Sequence, residues 1–116
     1  MKIKLLKSKI HRAKVTDANL KYEGSISIDS ELMAKVNIKN YEKVHVLNLT
    51  NGSRLETYAI PGEAGSKSVC INGAAAHLVN PGDRVIIVSY CSLNLEESDD
   101  HKPSIIKLNE QNDIIG

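Results

Sequence analysis

The sequence predicts a small, mainly β protein, a barrel or sandwich of short strands with one or two short helices. Two observations carry this reading. There is no Phe and no Trp, and only four Tyr, so Ile, Val and Leu must fill the core, and β-branched side chains favour strands. The chain is also cut into short alternating apolar runs separated by turn residues. A length of 116 residues with no repeat and no linker fits a single domain over residues 1–116.

The elements follow in order. Residues 2–6 read as a short apolar and basic strand, and Ile10 to Val15 as a second. Ser25 to Asp29 alternates small polar residues with Ile, the pattern of a half-buried strand. Ser30 then N-caps a short helix over Glu31 to Val36, with Met33 and Val36 on one face. Val44 to Leu49 and Arg54 to Ile60 are strands joined through Asn51-Gly52, a strong hairpin signal. Pro61-Gly62 ends that hairpin. Asn80-Pro81-Gly82-Asp83 is a turn leading into Arg84 to Tyr90, whose run Val85 to Val88 is apolar and β-branched and therefore buried. Glu96 to Lys102 is a polar surface loop, Ser104 to Leu108 a last strand, and the tail after about Asn109 is loosely held.

Composition narrows the function. A hydrophobic share of 41% with 25% charged residues is that of a soluble globular protein. A formal net charge of +1 offers no general attraction for nucleic acid. Lys2, Lys4, Lys7, Lys9, Arg12 and Lys14 make the N-terminal stretch locally basic, which suits a solvated β face or a site that needs one or two cations. Cys70 and Cys91 have neither CxxC nor metal-ligand spacing, so free thiols in a reducing cytoplasm are expected, with no metal. No signal peptide or membrane-spanning run is visible.

Three segments can carry chemistry. Glu23-Gly24-Ser25 is, on its residues alone, an ordinary turn in which Gly24 takes a positive φ and Ser25 starts a strand. It also sets the Ser25 hydroxyl beside the Gly24 carbonyl carbon. In a strained backbone that hydroxyl can attack the carbonyl. The resulting ester can eliminate to dehydroalanine, and hydrolysis then leaves a pyruvoyl group and ammonia. Such a ketone captures amines and accepts electrons, a task otherwise left to an added cofactor. Next, the hairpin places Arg54, Glu56 and Tyr58 on one sheet face and Leu55 and Thr57 on the other. Arg54 and Tyr58 then lie roughly 13 Å apart, at ~3.3 Å per residue. They form either an exposed charged face or, with a bulge or twist, part of one small-ligand site. Finally, Asn72-Gly73-Ala74-Ala75-Ala76-His77 is either a short, tightly packed Ala-rich helix or a stretch of bare backbone N–H groups facing a carboxylate.

Taken together, Lys9-Ile10-His11-Arg12, Tyr22-Glu23-Gly24-Ser25, Asn51-Gly52, Arg54, Thr57-Tyr58 and Asn72 to His77 resemble the aspartate 1-decarboxylases, in order and with similar spacing. The resemblance implies a six- to seven-stranded double-psi β-barrel and a homotetramer with active sites between subunits. It implies cleavage between Gly24 and Ser25, giving a β chain (1–24) and an α chain (25–116). The implied reaction is L-aspartate to β-alanine and CO2, in cytoplasmic synthesis of pantothenate, the coenzyme A precursor.

The implied roles go position by position. Ser25 becomes the pyruvoyl that forms a Schiff base with the substrate amine. Tyr58 is the proton donor, and Thr57 assists self-cleavage at the Gly24 carbonyl. Lys9 and Arg54 hold the substrate with Thr57 beside them, and Asn72, Gly73, Ala74 and Ala75 line the pocket. His11 and Tyr22 are supporting candidates. The α-carboxylate must leave as CO2, so a tight ion pair to it would stabilise the ground state; Arg54 is therefore expected on the side-chain carboxylate, which its guanidinium can grip through two parallel bonds. Leu47 is a departure, because many relatives carry Trp there. Two other readings stay open: a non-catalytic β-barrel binding module, and a zymogen that matures only with a partner.

Overall fold

The computed structural model describes residues 1–21 and 23–116. Eight strands form one sheet: β1 (Lys2–Lys14), β2 (Asp17–Asn19), β3 (Ser25–Asp29), β4 (Lys43–Asn48), β5 (Arg54–Gly62), β6 (Val69–Asn72), β7 (Arg84–Asn94) and β8 (Ser104–Lys107). Helix α1 (Ser30–Lys35) follows β3, α2 (Leu95–Ser98) follows β7, and a 3-10 turn covers Gly73–His77. The spatial order is β2-β6-β3-β5-β4-β7-β1-β8. Parallel pairs β3/β5, β2/β6 and β1/β8 interleave with antiparallel ones. The sheet encloses a single cluster in which Ile10, Ile26, Ile28, Val44, Val46, Ile71 and Ile87 are fully buried. The expectation of an aliphatic, Phe-free core therefore holds.

The strand count departs from the expected six to seven through two opposing effects, a fusion that removes one strand and two short strands that add to it. Residues 2–6 and Ile10 to Val15 belong to one long strand, β1, whose register against β7 slips between Leu6 and Ser8 and between Ile10 and Ala13. Each bulge shifts the side chains by one position, so period-two alternation breaks inside a continuous strand. Strands β2 and β6 have only three and four residues. They persist because each pairs with a neighbour distant in sequence.

The β4/β5 hairpin forms as expected, with Gly52 at φ +79° and the Asn51 side chain accepting the Ser53 N–H at 2.9 Å. Strand β5 runs through Pro61 and Gly62 rather than ending before them, because they pair with Ile28 and Asp29 of β3. The polar stretch after Asn94 contains the single turn α2 where a plain loop was expected. The C-terminal tail is held rather than loose. Asn112 is 2% exposed, bonds both the N–H and the carbonyl of Lys14, and donates to the Lys67 carbonyl.

Helix α1 is capped by Asp29 rather than Ser30. The Asp29 carboxylate accepts the N–H groups of Glu31 (2.9 Å), Gly65 (3.0 Å) and Lys67 (2.8 Å), and it is 1% exposed. It thus joins the end of β3, the helix and the loop after β5. Hydrogen bonds to a charged acceptor contribute more than neutral ones, and orphaning the donors adds a penalty. Asp29→Ala should therefore cost about 3 kcal/mol in urea unfolding at neutral pH. Asn at 29 keeps one acceptor oxygen and should lose about half as much. A loss below about 1 kcal/mol for Asp29→Ala would mean that the loop finds other acceptors.

Candidate active site

Strand β3 opens on Ser25, which pairs with Asn72 at the end of β6. Both are buried, at 3% and 4% exposure. The Asn72 Nδ2 donates to Ser25 Oγ at 3.0 Å and to Ser27 Oγ at 3.2 Å. Ser25 Oγ itself donates to the Glu23 carbonyl at 3.3 Å. The hydroxyl thus has a donor and an acceptor, and its rotamer is held from both sides.

This pair forms the floor of an open cleft of about 550 Å³, whose walls include Tyr58, Tyr41, Ile60 and Cys70. Tyr58 reaches the cleft because β3 and β5 run parallel, with Ile26 beside Ala59. Ser25 and Tyr58 immediately precede that first pair on their strands and both line the cleft, while half-buried Thr57 comes one residue before Tyr58. The Tyr58 and Tyr41 rings lie 6.1 Å apart at a tilted angle of 49°, a favourable aromatic arrangement.

Gly24 does not take the positive φ expected of a turn glycine. A Cβ built on Gly24 would meet nothing within 4 Å among the described residues. Neither its conformation nor crowding by the described residues therefore requires glycine here. Nor is the left-handed strain placed at Gly24 or Ser25; it falls on Arg12, Asn37, Tyr41, Lys67 and Asn112. Tyr41, at φ 70°, is the one of these that faces the cleft.

The remaining predicted residues divide. Asn72 is followed by Gly73 at φ +74°, a conformation that favours glycine, and by Ala74 and Ala75 in the 3-10 turn. The segment is thus short, tight and helical, adjoining the cleft through Asn72. Lys9, His11 and Arg54 do not line the cleft. Lys9 and His11 sit on β1, separated from β3 in the sheet by β5, β4 and β7. Arg54 is exposed at the start of β5, opposite Leu47. The outward face of β5 is charged, with Glu56 3.5 Å from both Lys43 and His45. His11 has a buried Nδ1 with no hydrogen-bond partner among the described residues. Burial, followed by the charges of Lys9, Lys107, Arg12 and Arg84, lowers its pKa and favours the neutral ring. Tyr22 lies outside the described residues.

Sequence reasoning passed over Ser27, Tyr41, Ile60 and Cys70 as cleft residues. Strand periodicity held a usable signal for two of them. Ser27 lies two residues after Ser25 and Cys70 two before Asn72, so each shares a sheet face with a predicted residue. A second cleft, of about 520 Å³, opens beside Lys4, Lys43, His45, Tyr90 and Cys91 and contains none of the predicted residues.

Comparison with known proteins agrees with the fold and with the family resemblance. The crystal structure of a rationally designed double-psi β-barrel protein matches with a TM-score of 0.50 at 16% identity, covering 66% of this chain and 90% of that one. At that identity the likeness speaks to the fold. Proteins named aspartate 1-decarboxylase from Clostridium kluyveri and Caldicellulosiruptor bescii are 57% and 56% identical, covering 98% and 99% of this chain and 90% of each relative. One of the same name from Salinibacter ruber is 51% identical over 98% of this chain and 78% of its own length. A family model described as aspartate decarboxylase matches residues 1–115. With this whole-length agreement, the chain belongs to the aspartate decarboxylase family.

Proposed function

We propose that this chain decarboxylates L-aspartate to β-alanine and CO2, within pantothenate synthesis, after cutting itself between Gly24 and Ser25. The observation that carries the reading is the Ser25 hydroxyl, buried and held by Asn72 on the floor of a cleft that also presents Tyr58. The freedom around Gly24 supports it as well. A glycine that the fold does not need there leaves its carbonyl carbon unobstructed by a side chain.

Self-cleavage then proceeds by balanced steps. Ser25 Oγ bonds to the Gly24 carbonyl carbon as the peptide C–N bond breaks, giving an ester and a free amine. Loss of the Ser25 α-proton breaks the Cβ–Oγ bond and releases Gly24 as a carboxylate. The remaining dehydroalanine takes up one water and releases ammonia. Thr57, next to the cleft residue Tyr58 on the strand that pairs with β3, is suited to donate to the Gly24 carbonyl oxygen as charge grows there.

The residues at Ser25 fit a pyruvoyl group, since the buried Asn72 Nδ2 offers a hydrogen-bond donor there. When present, that group supplies a ketone that captures the substrate amine and draws electrons from the breaking carbon–carbon bond. Tyr58 delivers its hydroxyl proton to the carbon left electron-rich when CO2 departs.

Lys9, His11 and Arg54 lie away from the cleft of their own chain. The reading therefore assigns them to the cleft of a neighbouring subunit in a homotetramer. Arg54 grips the side-chain carboxylate of the substrate, and lysine lacks the planar fork for that grip. Arg54→Lys should accordingly raise KM for aspartate about tenfold, with kcat changed less than about threefold, in steady-state assays. An unchanged KM would remove this role from Arg54.

Denaturing mass spectrometry of the purified protein, combined with CO2 release from aspartate, tests the whole reading. Two fragments split after Gly24, together with aspartate-dependent CO2, are the expected result. An intact chain that releases no CO2 after prolonged incubation would refute it.

A further inference from the structure

Cys70 stands two residues before Asn72 on β6, opposite Ser27 of β3, and faces the same cleft. Its Sγ lies 3.3 Å from Asn72 Oδ1, nearer than the 3.9 Å to the Ile71 carbonyl oxygen. Asn72 is thus contacted at both ends of its amide. The thiol meets the oxygen, while the nitrogen meets Ser25 Oγ and Ser27 Oγ.

An Asn side chain can present either its oxygen or its nitrogen to a neighbour, and its partners decide which. The two serine hydroxyls are indifferent, because each can donate or accept. A protonated thiol prefers the oxygen. We propose that Cys70 is a positioning residue for self-cleavage: its S–H holds Asn72 Oδ1 and so keeps the Asn72 Nδ2 donor aimed at Ser25 Oγ. Burial, aided by the nearby Asp17 charge, raises the Cys70 pKa and keeps the thiol protonated.

The inference rests on the self-cleavage reading above and deepens it. Negative charge appears on Oγ when the Cβ–Oγ bond breaks and Gly24 leaves as a carboxylate. A donor already aimed at that atom stabilises the departing oxygen without having to reorient. With the amide reversed, Oδ1 would face the same atom and oppose the charge. The proposal gives Cys70 no contact with the substrate. Its influence passes through Asn72 to the bond that breaks.

The test follows cleavage of freshly made, uncleaved precursor over time by intact mass, in wild type, Cys70→Ala and Cys70→Ser, with melting temperatures measured alongside. Cys70→Ala removes the donor and should cleave about tenfold more slowly, the weight of one neutral hydrogen bond. Cys70→Ser restores a donor and should cleave within about twofold of wild type. A purely packing role for the thiol would not be rescued by the smaller serine. Capping Cys70 with methyl methanethiosulfonate in a Cys91→Ser precursor should slow cleavage reversibly, with dithiothreitol restoring the rate. Cleavage of Cys70→Ala at the wild-type rate would overturn the proposal. So would a serine variant as slow as the alanine one, or a capped precursor that cleaves normally. A wild-type precursor that never cleaves would instead refute the self-cleavage reading and take this proposal with it.

Discussion

Ser25→Ala should remain a single chain of 12.7 kDa under denaturing conditions and release no CO2 from aspartate above background. The change removes one oxygen atom. Its direct structural cost is the pair of hydrogen bonds to Asn72 and Glu23. Asn72 keeps the Ser27 hydroxyl as a partner, and Ser25 keeps its backbone pairing to Asn72. The expected stability loss is therefore about 1 kcal/mol, far too little to unfold a domain of this size. The functional loss is total, because the same atom is both the nucleophile for cleavage and the origin of the catalytic ketone. Comparing melting temperature with activity separates the two effects. Two fragments from Ser25→Ala would place the cleavage chemistry elsewhere. An intact wild-type chain that still decarboxylated aspartate would detach the activity from cleavage altogether.

The parts of the fold that could be read from sequence are those fixed by local chemistry. Asn51-Gly52 sets the β4/β5 hairpin because Gly52 accepts a positive φ that most residues resist. The run Val85 to Val88 marks β7 because its side chains have little use except burial between neighbouring strands. What escaped the sequence is non-local. Strand β2 is three residues long and exists through its parallel pairing with β6, some fifty residues away. The Asp29 cap likewise draws on Gly65 and Lys67 as much as on its own helix.

The site divides in the same way. Ser25, Asn72 and Tyr58 were identified by motif, and the parallel β3/β5 and antiparallel β3/β6 pairings bring them to one cleft. Cys70 and Ser27 went unnoticed because small polar residues on a short strand look like solvent-facing filler until their partners are known. Tyr41 carried no signal at all. Its aromatic ring faces the cleft from a backbone conformation, φ 70°, that a bulky residue rarely adopts. Lys9, His11 and Arg54 carry a different lesson. Their types were legible, but strand order sets Lys9 and His11 on β1, with three strands between it and β3, and Arg54 sits exposed at the start of β5, before Tyr58, so residue type alone did not say which of them share the Ser25 cleft.

Tyr58→Phe should cleave normally yet lose at least about 100-fold in kcat for β-alanine formation, with KM for aspartate changed little. The phenyl ring retains the contact with Tyr41 at 6.1 Å and the position opposite Lys43, so the cleft wall keeps its shape. Only the hydroxyl is lost, and no hydrogen bond of the fold depends on the Tyr58 oxygen among the described residues. A donor that acts after CO2 has left contributes nothing to substrate capture, which is why the loss belongs in kcat. The size follows from what a positioned general acid contributes, typically a factor of 10² to 10⁴. Measuring CO2 and β-alanine separately sharpens the test. If Tyr58 supplies the final proton, CO2 release in the first turnover survives better than β-alanine formation, because carbon–carbon cleavage precedes proton delivery. Equal suppression of both would assign Tyr58 to an earlier step, and a kcat within about threefold of wild type would remove the hydroxyl from the chemistry.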